Sequence, residues 1–222
     1  MGIGLSIGLV SASFLFFFAF FLFGIFYYQK RFNLKYDIRN TFPYEINYQQ
    51  SFLDNIFVNI FLILFAVSSI GFFVFFDIKN ILSVNMVPTV GGILLAICIF
   101  FLFFADLKYI RFHMILLILT SISAFALASG VALVGFRSFQ LDNQDYYSLI
   151  ICIIAALVAL FLFGVMMNPK LSFHLEMKKA VGVDGKEKLV RPKFFVLAIS
   201  EWIFIFSILL SELLLLLLYI PR

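Results

Sequence analysis

Six long apolar stretches alternate with short segments that hold nearly all the charge. The stretches cover residues 3–28, 52–76, 87–105, 114–136, 147–168 and 194–220. Each approaches or exceeds the roughly 20 residues a helix needs to cross the hydrocarbon core of a bilayer. The pattern predicts an all-α integral membrane protein, a bundle of about six transmembrane helices forming one polytopic domain over residues 1–222. The third stretch is the least regular, because Pro88, Gly91 and Gly92 crowd its start. Proline is tolerated in a first helical turn, where its missing N–H would have no intrahelical partner anyway. The first stretch lacks a preceding basic segment and is far longer than the roughly 7–15 apolar residues of a signal peptide. It is therefore expected to be a retained helix.

The charge between the stretches predicts orientation. Thirteen of the 16 Lys and Arg residues fall in residues 29–51, 106–113 and 169–193, and only Lys79, Arg137 and Arg222 fall elsewhere. Basic connections stay on the cytoplasmic side of a membrane, so both termini are expected outside and the membrane is expected to be the plasma membrane. Tyr27, Tyr28, Tyr109, Tyr146, Tyr147 and Tyr219 fall at the expected boundaries, where a ring with a polar tip is favoured.

Composition supports the membrane assignment. The chain is 64% hydrophobic and 13% charged, against roughly 45–50% and 25% for soluble domains. A soluble fold of 222 residues has too much surface to hide that apolar excess. The 33 Phe residues read as compositional bias. Cys98 and Cys152 lie at different depths in apolar runs, which predicts two free thiols.

Small residues four apart mark faces where membrane helices approach closely. Such faces occur at Gly4, Gly8 and Ala12; at Gly92 and Ala96; at Thr120, Ala124, Ala128 and Ala132; and at Cys152 with Ala156 and Ala155 with Ala159. All are expected to pack within the chain.

Only Glu201 and Glu212 place an ionisable group well inside a predicted span, both in the last one. Eleven residues at about 100° each separate them by only about 20° around a helix. Ser200, Ser207 and Ser211 fall beside them, so the last helix should carry one polar stripe with an acid in each half. An acid within the membrane costs roughly 2–3 kcal/mol or more and commonly marks an ion or substrate path. The candidate intramembrane polar site is therefore Glu201, Glu212, Ser207 and Ser211, with Asn59 at a depth similar to that of Glu201. The bland alternatives are interhelical glue and, for Glu201, snorkelling toward Lys193 or Arg111. His113 is expected at the interface.

Among the connections, residues 29–51 hold Phe42-Pro-Tyr-Glu45 and are expected to form an ordered segment lying along the surface. Residues 169–193 should contain a short amphipathic helix near Leu171–Lys179 and a β-hairpin turning at Asp184-Gly185. The seven basic residues of that connection suit an anionic leaflet or a cytoplasmic partner. No Walker motif, HExxH, CxxC or GxSxG elbow is present, and His113 and His174 lack metal spacing. Neither enzymatic activity, a cofactor, a metal nor nucleic acid is expected, and the bilayer is the main partner.

Phe42-Pro-Tyr-Glu45, with Phe76-Asp77 after it, resembles part of the small three-helix membrane subunit of respiratory NADH dehydrogenases. The likeness covers about a fifth of the chain. The family has Cys where this chain has Ile46 and an acid where it has Lys79, and no residue role follows from it. The expected function is a small transporter-like or channel-like membrane protein, or a subunit of one. The alternative is a non-catalytic structural or assembly subunit of a membrane complex.

Overall fold

The computed structural model describes residues 2–47, 55–79, 86–141, 145–168, 171, 178–181, 187–190 and 192–219. Among the described residues six α-helices form: α1 (Gly2–Phe32), α2 (Ile56–Lys79), α3 (Met86–Leu102), α4 (Ile110–Leu141), α5 (Tyr146–Met166) and α6 (Val196–Tyr219). All but α3 are long and apolar enough to cross a membrane; α3 is a 17-residue apolar helix. The protein is thus an all-α integral membrane bundle.

The ends of these helices follow from local chemistry. Helix α1 runs four residues past its expected end and stops at Asn33, whose φ of 52° closes a left-handed cap, its N–H donating to the Gln29 carbonyl at 2.9 Å. Asn tolerates that conformation better than most residues. Asp145 caps α5, accepting from the Ser148 N–H at 3.3 Å and from the Ser148 hydroxyl.

Helices α1 to α5 pack in sequence, each on the next, and curve around α6, which touches α1, α3, α4 and α5. The most apolar windows of α4 and α6 are 61% buried, against 28% for α1 and 22% for α5. The last helix in sequence is therefore at the centre of the bundle. Buried residues of α1 recur at Val10, Ser13, Phe17, Phe20 and Gly24, close to the helical period.

Two of the expected small-residue faces are buried throughout, Gly92 with Ala96 and Ala155 with Ala159, whereas the expectation for Cys152 with Ala156 is corrected: Ala156 is exposed and Cys152 half-buried. Gly91 lies against the backbone of Ala126 and Leu127, so α3 and α4 meet with no side chain between them. Ala124, Ala128, Ala155 and Ala159 are buried, and Gly135 sits against the backbone of Ser148 and Cys152. The expectation for α1 is corrected: Gly4 and Gly8 are exposed with open space around them. They fall off the buried stripe of α1 and take no part in packing within the chain. Both cysteines are free thiols.

Beyond the bundle, β1 (Lys178–Val181) pairs antiparallel with β2 (Glu187–Val190), Lys178 opposite Val190 and Val181 opposite Glu187. The expected hairpin forms; its turn at Asp184-Gly185 lies outside the described residues. The amphipathic helix expected over Leu171–Lys179 is corrected at its end, where Lys178 and Lys179 belong to β1. Residues 172–177 lie outside the described set.

Candidate functional site

The first, third and fifth connections converge at one end of the bundle. Residues 36–47 fold inward there and plug it. The plug forms for a local reason. Phe42 takes the N-cap position of a 3-10 turn over Pro43–Asn47, with Pro at the first position, where its missing N–H costs nothing. Glu45, three residues on, reaches back so that its Oε2 accepts from the Phe42 N–H at 2.9 Å, half of a capping box. All five turn residues are buried.

The plug is tied to the bundle by main-chain and side-chain bonds. The Trp202 indole N–H donates to the Thr41 carbonyl at 3.0 Å. The Phe195 N–H donates to the Arg39 carbonyl at 2.9 Å. The Asn47 amide donates to the Phe103 carbonyl at 3.5 Å and accepts from Asn55 at 2.9 Å. Gly24 on α1 leaves the space that Ile46 occupies. The expectation of a surface-lying segment is corrected: Tyr36, Phe42, Tyr44 and Ile46 belong to the buried core.

Beneath the plug, His113 of α4 meets Glu201 of α6, and both side chains are fully buried. Nε2 of His113 lies 2.7 Å from Oε1 of Glu201, and Nδ1 lies 2.6 Å from the Ala105 carbonyl oxygen. A carbonyl can only accept, so Nδ1 must carry a proton. Nε2 and Oε1 then share one further proton, and the pair is neutral overall whichever atom holds it. That neutrality makes the pair tolerable where an isolated charge would be costly. The rings of Phe42 and Tyr44 stand edge-on to the imidazole at 5.9 Å and 5.7 Å. Oε2 of Glu201 has no hydrogen-bond partner among the described residues, and Glu45 lies within electrostatic range of Glu201.

Two expectations are corrected here. His113 is not exposed to its surroundings at the helix start; α4 begins at Ile110, four residues early, and turns His113 into the bundle. Glu201 does not snorkel toward Lys193 or Arg111, and it takes its partner from α4 rather than from Asn59, which is buried on α2.

Glu212 lies about 16 Å further along α6 at 1.5 Å per residue. It is fully buried and accepts from the Ser13 hydroxyl of α1. Ser69 of α2, also fully buried, lies beside the same carboxyl without closing a hydrogen bond in strict geometry. The stripe of α6 is thus two separate sites facing different helices. Between them Phe204, Ile205 and Ile208 are fully buried. Ser200 and Ser207 turn back onto their own helix, to the Val196 carbonyl at 2.8 Å and the Phe204 carbonyl at 2.7 Å, and Ser211 is buried.

At the mouth of the plug, Arg39 clasps Asp37 with two bonds, Nε to Oδ1 at 2.9 Å and Nη2 to Oδ2 at 2.8 Å. The guanidinium holds the Asp37 carboxyl down at about 2. The Tyr36 phenol is pushed well above its ordinary value by burial first and by Glu45 second, and its hydroxyl donates to the Phe42 carbonyl at 3.2 Å. A raised value means the neutral phenol stabilises the plug below its unfolded pKa, near 10, and that stabilisation is lost as pH rises further. Plug docking should therefore weaken above about pH 10. Tyr36→Phe should abolish this alkaline step, at a cost of about 1 kcal/mol for the lost hydrogen bond. Protection of the Thr41 backbone N–H, which donates to the Asp37 carbonyl at 2.9 Å, against hydrogen exchange across pH 8–11 measures both effects; an alkaline step that persists in Tyr36→Phe would assign it to another group.

The fold defines a polytopic α-helical membrane protein whose central helix carries two fully buried acidic side chains, Glu201 and Glu212. No known protein family, no curated protein and no solved structure matches the chain.

Proposed function

We propose that the chain is a small proton-translocating membrane protein of carrier type, acting alone or as the membrane subunit of such a system in the plasma membrane. The His113–Glu201 pair is its proton-handling element. The observation that supports this most is the pair's hydrogen bonding: Nδ1 is fixed as a donor by Ala105, one proton is shared over 2.7 Å, and Oε2 of Glu201 remains open. A pair that is neutral at rest can take a proton on one side and release it on the other without first separating charge. Packing between the two acids of α6 favours a carrier over a standing pore. With basic connections inside, the plug lies at the cytoplasmic end and controls access to the pair from there.

Proteoliposomes with an internal pH dye and an imposed potassium diffusion potential test it. Wild-type protein should conduct protons above protein-free vesicles. Glu201→Gln should reduce the rate by about a hundredfold, the low end of what a positioned proton-transfer group contributes, while the protein still runs as a folded species on size exclusion. A wild-type rate equal to empty vesicles, or an unchanged rate in Glu201→Gln, refutes the proposal.

A second role, as a non-catalytic subunit of a membrane complex, draws on a separate feature. A groove of about 620 Å³ runs between α4 and α5. It is lined by the small residues Ser129, Ala132, Cys152 and Ala156 together with Phe125 and Phe163. Small residues flanked by large ones suit a neighbouring helix. Stable co-purification of a second membrane chain, lost on Ala156→Phe, would favour this role.

A further inference from the structure

Hydroxyls in the spanning helices mostly satisfy themselves on their own helix. Ser68, Thr120, Ser121, Ser200 and Ser207 each donate to a carbonyl three or four residues back, at 2.7–2.8 Å. That is the ordinary arrangement for Ser and Thr in a helix. Ser13 and Ser69 break it. Ser13 turns across to Glu212, and Ser69, one residue from a serine that does fold back, lies beside the same carboxyl with its Oγ unpartnered. Oε1 of Glu212 is likewise unpartnered. Four oxygen atoms from three helices therefore converge in the interior, two of them without a hydrogen bond.

The electrostatics of this point differ from those of the His113–Glu201 pair. Among the described residues no Lys, Arg or His acts on Glu212; its polar neighbours are the Ser13 hydroxyl from α1 and the Ser69 hydroxyl from α2, and no second titratable group faces it. A lone buried carboxylate is strongly disfavoured, so one unit of positive charge must accompany it. A proton supplies that charge and leaves Ser69 at most one hydrogen bond to the carboxyl group. A small hard cation supplies it and uses every oxygen present, since such ions take carboxylate and hydroxyl oxygens. One carboxylate balances one charge, which selects a monovalent ion over a divalent one. A hydroxyl that donates its hydrogen to the carboxylate keeps its lone pairs for the ion.

We propose that Glu212, Ser13 and Ser69 form a sodium site in which Na⁺ and H⁺ compete for the same carboxyl group. Binding exchanges one for the other: the Glu212 O–H bond breaks, its proton leaves to solvent, and the carboxylate takes up Na⁺. The site goes beyond the carrier proposal and would stand if His113 and Glu201 moved no protons, because it is read by binding rather than by flux.

Thermal unfolding of the purified full chain in mild detergent tests it, with sodium chloride compared against choline chloride at equal ionic strength. Sodium should raise the midpoint saturably, as a ligand selective for the folded state does. The sodium concentration for half the effect should fall as pH rises, through loss of the competing proton. Ser69→Ala should raise that concentration by about tenfold, Glu212→Gln should remove the sodium response, and Ser68→Ala should retain it. Equal midpoints in sodium and choline for the wild type overturn the proposal. So does a sodium response that survives Glu212→Gln or is untouched by Ser69→Ala. Should Glu212→Gln fail to fold, the Ser69→Ala and Ser68→Ala pair decides alone.

Discussion

His113→Leu is expected to destabilise the folded bundle by about 3–5 kcal/mol, the cost of leaving one member of a buried pair behind. Two groups are stranded by that change: the Glu201 carboxyl, fully buried beneath the plug, and the Ala105 carbonyl, which loses the Nδ1–H that now meets it at 2.6 Å. Glu201→Leu should cost a similar amount, because the imidazole then keeps a second nitrogen with nothing to meet. The double variant His113→Leu, Glu201→Leu should recover most of the loss, since a buried pair replaced by apolar groups is often close to neutral. The measurement is a double-mutant cycle on the folded fraction during titration from mild detergent into dodecyl sulfate. Coupling below about 0.5 kcal/mol, the level at which distant sites add independently, would mean that the two side chains do not depend on each other. The double variant also separates packing from chemistry. If it is stable yet conducts no protons, the pair is retained for proton handling; if it is stable and conducts as the wild type does, the pair is a packing device only.

How much of this was legible in the sequence depends on the range over which each signal acts. The spans were readable because hydrophobic length is a local property that the bilayer itself selects, and α2, α5 and α6 begin and end within four residues of expectation. The acids of α6 were readable because charge is rare inside a span. Their partners were not, because partners come from other helices and the sequence does not say which faces meet. His113 was misplaced for a definable reason: Arg111 and Lys108 pull the eye toward the interface, while the helix already begins at Ile110 and turns the imidazole inward. Nothing in the sequence beside it signals the inward turn: Arg111 and Phe112 are exposed while His113 and Met114 are buried, a difference set by which face of α4 meets α6. The plug carried a usable signal in Phe42-Pro-Tyr-Glu45, a helix-start sequence in a connection too apolar to remain on a surface. Gly4 and Gly8 show the opposite failure, a packing motif with no partner inside the chain.

Substituting Gly24 tests whether the plug is a separable part. Any side chain at Gly24 would run into Ile46, which is 1% exposed and has nowhere to retreat. Gly24 itself lies inside α1, eight residues before its end, where a larger residue suits the helix better than glycine does. Gly24→Leu should therefore leave α1 intact and strain the plug alone, by the roughly 1–3 kcal/mol typical of overpacking. If the plug opens independently of the bundle, that strain appears directly as more time spent undocked. Thr41→Cys, in a background with Cys98 and Cys152 replaced by Ala, reports it: Thr41 is 4% exposed when docked, so a water-soluble maleimide reaches it only in the open form. Labelling should accelerate by about 5- to 150-fold in Gly24→Leu, the ratio equivalent to that strain. An unchanged rate would mean that Ile46 does not bear on Gly24, and a rise accompanied by unfolding of the whole bundle would mean that the plug is an inseparable part of the core. If the plug does open alone, the same variant should speed proton entry to His113 and Glu201 from that end only, because Phe42 and Tyr44 are the rings that cover the imidazole.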